Sequence, residues 1–441
     1  MSNFSRRAFF QTSAAGLLLA QGRKPNVLLV TSDQETALLP APLNLPNRRR
    51  LQQNGVTFSH GFCNSPQCSP ARASILTGCT PTKSGTVTNV DYASFGKAPA
   101  TNIPSLGSVF RAGGYETGYF GKWHLGGANR GPEQYGFSKV EIGTAQNSGA
   151  EADGPATQMG ADWIRQRKAP WFAWVSLLDP HDIYFPPRSF DLLDKRSGVR
   201  APYSDASNVQ GKPWEQADWV KRVPLKVNDW IGYRSYYCQM VEKVDERLGV
   251  LIDAAGGPEN TIIAYTSDHG DALGEHGLAV KAAFMYEELL RIPFVIAAPE
   301  SRVGRGVRDE FTLQTDILPT LASLAGLAVP TGLDGIDLSS NHQPRDAVFS
   351  EYAAQQKNIS PIRTIRTHRY KLDWYDDGGE ELYDLEKDPH ELKNLAAVPA
   401  LLSTREELER RLNAWHPDIT DLEKQTPGRY LGPMQPMPPK N

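Results

Sequence analysis

The sequence has little cysteine, no surplus of charge of either sign, and no apolar run long enough to cross a bilayer. Four cysteines, Cys63, Cys68, Cys79 and Cys238, are too few for a disulfide framework in a chain of 441 residues. A pairing of Cys63 with Cys79 is left open by the sequence. Lys and Arg number 47 against 50 Asp and Glu, a net charge of −3, so the chain lacks the basic excess of a nucleic-acid grip. The apolar run Ala14 to Ala20 is too short to span a membrane, and no later segment is apolar enough, which excludes stable membrane insertion. Internal repeats and low-complexity tracts are also missing. The length suits one large domain and a smaller one.

The N-terminus carries Ser5-Arg6-Arg7-Ala8-Phe9-Phe10 ahead of that short apolar run. Paired arginines followed by an apolar stretch resemble a twin-arginine export signal, here residues 1–22. The expected destination is the periplasm or the exterior.

Beyond it, four runs read as strands. Asn26 to Ser32 and Thr261 to Ser267 are apolar and rich in β-branched residues, as buried strands of a parallel sheet are. Trp171 to Leu178 and the shorter Glu116 to Phe120 are similar. Each ends in a polar cluster: Asp33-Gln34, Asp268-His269, Asp179-Pro180-His181 and Gly121-Lys122-Trp123-His124. In open α/β sheets ligands bind beyond the carboxyl ends of strands, so the four clusters are expected to converge. Trp230 to Ala255 has helical apolar spacing and reads as a core-facing stripe whose aromatics pack; Asp316 to Leu327 reads as a second helix. Residues 183–228 lack periodicity and read as a long surface excursion of the kind that shapes a pocket. After about residue 355 three short strands, Ile362–Thr367, Tyr370–Trp374 and Glu381–Leu385, predict a small antiparallel sheet, followed by a helix near Ser403 to Trp415. The tail Thr426 to Asn441 is Pro-rich. The division is thus a signal at 1–22, an α/β catalytic domain at 23–355 and a small α+β subdomain at 356–441.

The chain is organised around Cys68-Ser69-Pro70-Ala71-Arg72. Ser69 is placed to cap a helix, Pro70 suits a first turn, and Gly78 suits the stop. A cation in a first turn opposes the helix dipole, so Arg72 predicts an anionic partner. Cys68 then lies where a helix N-terminus and a guanidinium meet, a setting for an oxyanion.

With Leu76-Thr77-Gly78, Pro81 and Gly85 downstream, this stretch resembles the signature of the formylglycine-dependent (type I) sulfatases of the alkaline-phosphatase-like superfamily. The resemblance implies an α/β/α sandwich with a large, mostly parallel sheet and a small C-terminal antiparallel sheet with a helix. It implies that a maturation enzyme oxidises Cys68 to formylglycine, whose hydrated aldehyde is the nucleophile. Cys79 stands where the family usually has an arginine. Asp33 and Ser267-Asp268-His269-Gly270-Asp271 match the two metal motifs, with Gln34 in place of a frequent aspartate. The implied metal set is Asp33, Gln34, Cys68, Asp268 and His269. Its oxygen donors suit Ca²⁺ first, with Mn²⁺ or Mg²⁺ as alternatives. Gly121-Lys122-Trp123-His124-Leu125-Gly126 matches a further motif, and His181 and Lys281 match remaining family positions.

The implied catalytic residues are Cys68, Arg72, Lys122, His124, His181 and Lys281. A divalent ion with Arg72, Lys122 and Lys281 opposes Asp33, Asp268, a diol oxyanion and a sulfate ester, which leaves the site slightly positive toward an anion. His124 is the expected base in regenerating the aldehyde, and His181 or Lys281 the acid toward the leaving alcohol. The expected substrate is a sulfated carbohydrate. A phosphonate monoester or phosphodiester hydrolase, or a choline-sulfatase-like enzyme, is the alternative that Gln34 suggests. A sulfoglycan-binding protein with unmodified Cys68 is the non-enzymatic one.

Overall fold

The computed structural model describes residues 24–90, 96–126, 131–142, 149–168, 170–223, 225–299, 302–355, 358–376 and 378–415. The expected export signal and the Pro-rich tail lie outside them. Eight strands form one sheet: β1 (Asn26–Asp33), β2 (Gly55–Phe62), β3 (Glu116–Gly121), β4 (Lys139–Ile142), β5 (Trp171–Pro180), β6 (Thr261–Ser267), β7 (Phe294–Ala297) and β8 (Gly306–Leu313). Their spatial order is β4-β3-β5-β1-β6-β7-β2-β8. Only β7 runs against its neighbours β6 and β2; the other pairings are parallel. The four strands expected from the sequence are therefore contiguous, as β3-β5-β1-β6.

Burial explains why these runs are apolar throughout. Along β1, Val27 and Leu29 join one core, with Phe172, Trp174 and the helices Leu106–Ala112 and Ile317–Leu324. Leu28 and Val30 join the other, with Val175, Tyr265 and the helices Gly149–Arg165 and Trp230–Ala254. Both faces are covered, so alternation carries no polar half. The result is the expected three-layer α/β/α arrangement.

The small sheet is antiparallel, in the order β12-β11-β10-β9, from β9 (Ala347–Gln355), β10 (Asn358–Thr367), β11 (Tyr370–Tyr375) and β12 (Glu380–Asp384). β9 is one strand more than the pattern predicts; it pairs along β10, so the second sheet begins at Ala347. The helix Leu402–Trp415 follows as expected. The small sheet also grips the segment between β6 and β7. Lys371 donates to the carbonyl of Met285, Glu391 accepts from the Glu287 N–H at 2.8 Å, and Arg366 pairs with Glu287 at 3.3 Å.

Residues 183–228 run mostly over the surface, as expected, but they are not without regular structure. They include a helix, Trp214–Arg222, and two short 3₁₀ turns, Phe190–Leu192 and Ala206–Val209. Phe190, Val209 and Trp219 are buried in a core with Tyr233, Tyr237, Phe284 and Tyr286. A few widely spaced aromatic anchors hold this segment, and anchors of that kind leave no period to read.

Leu28→Ala removes a fully buried side chain from the sheet centre. It should lower unfolding free energy by about 2–5 kcal/mol in denaturant titrations. Val307→Ala, at a position 73% exposed, should stay within about 0.5 kcal/mol. Equal losses at the two positions would contradict this assignment of the core.

Candidate active site

The carboxyl ends of β1, β6, β5 and β3 meet the N-terminus of one helix. That helix is Cys68–Thr77, and Gln67, not Ser69, occupies its N-cap position. Ser69 instead ties the helix to its surroundings. Its hydroxyl donates to the His124 carbonyl, and its backbone N–H donates to Asn89 Oδ1 at 2.9 Å. The helix stops as expected at Gly78, which is left-handed with φ 68°.

Arg72 has the anionic partners its position called for. It is 1% exposed, and its Nε donates to Asp268 at 3.0 Å while its Nη2 donates to Asp33 at 2.8 Å. Nη1 donates to the Lys122 carbonyl at 3.0 Å and to Ser176 Oγ at 2.6 Å. The guanidinium thus spends its donors on β1, β5, β6 and the turn after β3.

Asp33, Cys68, Asp268 and His269 each offer an atom within 4.8 Å of the others, all buried. His269 Nδ1 lies 2.9 Å from the Gly270 carbonyl. A carbonyl only accepts, so Nδ1 carries a proton and Nε2 faces the centre, 3.4 Å from Cys68 Sγ. Two carboxylates and an imidazole are a donor set that fits a divalent cation. Gln34 adds an amide oxygen close by; its side chain accepts from Lys281 Nζ at 2.7 Å.

Both lysines reach the cysteine. Lys281 Nζ is 3.1 Å and Lys122 Nζ 3.7 Å from Sγ, and Lys122 also pairs with Asp33. Burial pushes the Cys68 thiol upward, but Lys122, Lys281 and His269 outweigh it and hold the group well below the ordinary thiol range. Burial likewise raises Asp33, yet Lys122, His181 and Lys281 keep it well below the usual carboxylate value. Asp268 is pushed up to about 6, first by burial and then by Asp33 beside it. His181 is driven down to about 3 by burial and by the two ammonium groups, so its ring is neutral here. Lys281 is raised by Cys68, Asp33 and Asp268 against the opposing effect of burial.

Two backbone features aim these groups. Gly121 has φ 97°, and a Cβ on it would stand 2.0 Å from the Ser176 carbonyl oxygen. Only glycine lets the chain turn there and deliver Lys122. Gln34 and His124 are non-glycine residues with φ 71° and 57°, a conformation kept where the surroundings enforce it.

The structure brings Asp33, Gln34, Cys68, Arg72, Lys122, Asp268, His269 and Lys281 into direct contact. His124 and His181 stand beside the cysteine. Sequence reasoning missed the tyrosines. Tyr237 donates to the Gln34 carbonyl at 2.7 Å, and Tyr233 donates to Asp271 at 2.9 Å. The available signal was chemical: a buried phenol needs a partner, so tyrosines on a core stripe point at something polar. Cys63, Cys79 and Cys238 are buried and unpaired.

A family model described as sulfatase matches residues 25–327, and one described as N-sulphoglucosamine sulphohydrolase, C-terminal, matches residues 274–418. The chain is similar to the Delta 4,5-hexuronate-2-O-sulfatase of Bacteroides thetaiotaomicron, at 29% identity over 417 residues and with 85% of each protein covered. It is similar to a solved 2-O GAG sulfatase, with a TM-score of 0.74 at 25% identity over 91% of this chain and 93% of that one. It shares its fold with the phosphonate monoester hydrolase of Agrobacterium radiobacter, with a TM-score of 0.75 at 24% identity over 91% and 96%.

Replacing Arg72 with Met leaves two buried carboxylates facing each other, Asp33 with only its lysines and Asp268 without its guanidinium. Stability should fall by about 3–5 kcal/mol in denaturant titrations. Arg72→Lys should recover only part of it, because one ammonium cannot span both carboxylates. A methionine variant as stable as the parent would contradict the bridging role.

Proposed function

The chain belongs to the sulfatase family, and on that premise we propose that it hydrolyses sulfate esters of carbohydrates, using a formylglycine made from Cys68 by a maturation enzyme. The observation that carries the reading is the convergence of Cys68 with Asp33, Asp268 and His269 within 4.8 Å, under two lysines 3.1 and 3.7 Å from its sulfur. In this reading Sγ marks where one oxygen of the hydrated aldehyde stands.

Asp33, Gln34, Asp268 and His269 hold a divalent ion, Ca²⁺ by preference for oxygen donors. When bound, that ion polarises a sulfate oxygen and favours the ionised form of the attacking hydroxyl. Lys122 and Lys281 face the transferring group and balance the negative charge growing on it. Arg72 works through the two aspartates, fixing where their free oxygens point. His124 takes the proton from the second hydroxyl as the aldehyde is restored. His181, neutral between two ammonium groups, donates a hydrogen bond to the leaving oxygen as charge grows there, and Lys281, the charged donor next to it, supplies the proton. The twin arginines near the N-terminus support export to the periplasm or the medium. Among the described residues no helix is long and apolar enough to cross a membrane.

One observation favours a second reading. Gln34 removes a negative charge from the metal set and so changes the field facing the substrate; a phosphonate monoester or a phosphodiester, a monoanion like a sulfate ester, is the second candidate. Rates on matched aryl sulfate and aryl phosphonate esters separate the two.

Protein co-produced with a maturation enzyme should show an aldehyde in the Cys68 peptide by mass spectrometry and should cleave sulfate esters. Cys68→Ala should lose turnover, and chelation should abolish activity until a divalent ion is returned. Full activity in Cys68→Ala, or indifference to exhaustive chelation, would sink the mechanism.

A second expectation separates the two histidines. An aryl oxide leaves unaided, whereas a sugar alkoxide needs a proton. His181→Ala should therefore cost roughly ten- to a hundredfold more on a sugar sulfate than on an activated aryl sulfate. His124→Ala should slow both substrates alike. Equal losses on the two substrates for His181→Ala would take it away from the leaving oxygen and leave that place to Lys281 alone.

A further inference from the structure

We infer that Asp271 is a positioning residue that decides which end of the Gln34 side-chain amide faces the reacting centre. The inference rests on the proposed reading of that centre as a metal site. A primary amide has nearly the same shape after a half-turn about its last bond, but the turn exchanges an acceptor for two donors. Gln34 is therefore useful at this place only if something fixes its direction.

The surroundings of Gln34 leave one free choice and then remove it. Its backbone N–H donates to Asp268 Oδ1 at 2.9 Å, and its carbonyl accepts from Tyr237 at 2.7 Å. Those bonds hold the residue in its left-handed conformation and fix the root of the side chain. At the tip, Nε2 donates to Asp271 Oδ2 at 2.7 Å, and Oε1 accepts from Lys281 Nζ at 2.7 Å. That Nζ is 3.1 Å from Cys68 Sγ. A carboxylate only accepts, so Asp271 admits only the NH₂ end. Asp271 cannot swing aside. It is fully buried, Tyr233 donates to both its oxygens at 3.0 and 2.9 Å, and the Leu273 N–H donates at 2.7 Å. The amide oxygen is thereby committed to the centre. With the amide turned, two N–H groups would face an ammonium and any bound cation.

Asp271→Asn in the full chain tests this. Asparagine keeps the shape, and its oxygen still serves Tyr233 and Leu273. Its NH₂ now faces Gln34 and draws the amide oxygen away from the centre. Calcium or manganese titrated into chelator-stripped protein should bind about ten- to a hundredfold more weakly than to the parent, with the thermal midpoint little changed. Adding Gln34→Glu to Asp271→Asn should restore affinity to near the parent value. One Glu oxygen then accepts from Asn, and the other faces Lys281. A merely structural role for Asp271 predicts that Gln34→Glu tightens binding by the same factor in the parent and in Asp271→Asn; an orienting role predicts a clearly larger factor in Asp271→Asn. Parental affinity in Asp271→Asn, or a double variant no tighter than the single, would overturn the inference. If the parent itself takes up no divalent ion, the hydrolase reading fails. The orientation is then read from neutron crystal structures of the parent and Asp271→Asn, which tell nitrogen from oxygen by the bound deuterons. A turned amide in the variant supports the inference, and an unturned one overturns it.

Discussion

A single buried guanidinium holds this site together. Arg72 lies between Asp33 and Asp268, and without it two carboxylates would share a water-free space. Such a pair cannot stay fully ionised, because each charge raises the cost of the other. The guanidinium also reaches β5 through Ser176 and the turn after β3 through the Lys122 carbonyl. The register of four strand ends is thus read out by one side chain. That explains how a cation is tolerated in a first helical turn, where the dipole opposes it. Two short charge-assisted bonds outweigh an effect of a few tenths to one kcal/mol.

Much of this was legible in the chain, for identifiable reasons. A strand buried on both faces leaves an unbroken apolar run, and β1, β5 and β6 are of that kind. The polar residue that ends such a run falls at the carboxyl edge, so Asp33, Asp268, His181 and Lys122 announce themselves. Lys281 does not, because it lies in an irregular segment; only its match to a family position pointed to it. The helix at Trp214–Arg222 was hidden for a related reason. It is held by a few aromatic anchors and not by a repeating stripe. Ser69 misled because serine is a good cap, while the helix begins one residue earlier and uses that hydroxyl on the His124 carbonyl. β9 was missed because its partner strand, and not its own pattern, defines it.

The long helix Trp230–Ala254 shows where a correct pattern gives an incomplete account. Its stripe packs against the core, as the spacing says. Yet Tyr233 and Tyr237, four residues apart, also deliver two hydroxyls to Asp271 and to the Gln34 backbone. Periodicity reports which face is buried. It does not report that a buried face can carry polar atoms with work to do at its tip.

The grip of the small sheet on the segment between β6 and β7 has a consequence in time. Cys68 is 1% exposed in the finished fold. Among the groups that bury it are His269 and Lys281, 201 and 213 residues further along the chain. The contacts that anchor the Lys281 segment, at Arg366, Lys371 and Glu391, come later still. A ribosome adding roughly 5–20 residues per second takes on the order of ten to forty seconds to travel from Cys68 to Lys281. During that interval the cysteine has emerged and its lid has not. Any other protein that is to work on this side chain meets it on the nascent chain, and the pace of translation sets how long the meeting lasts.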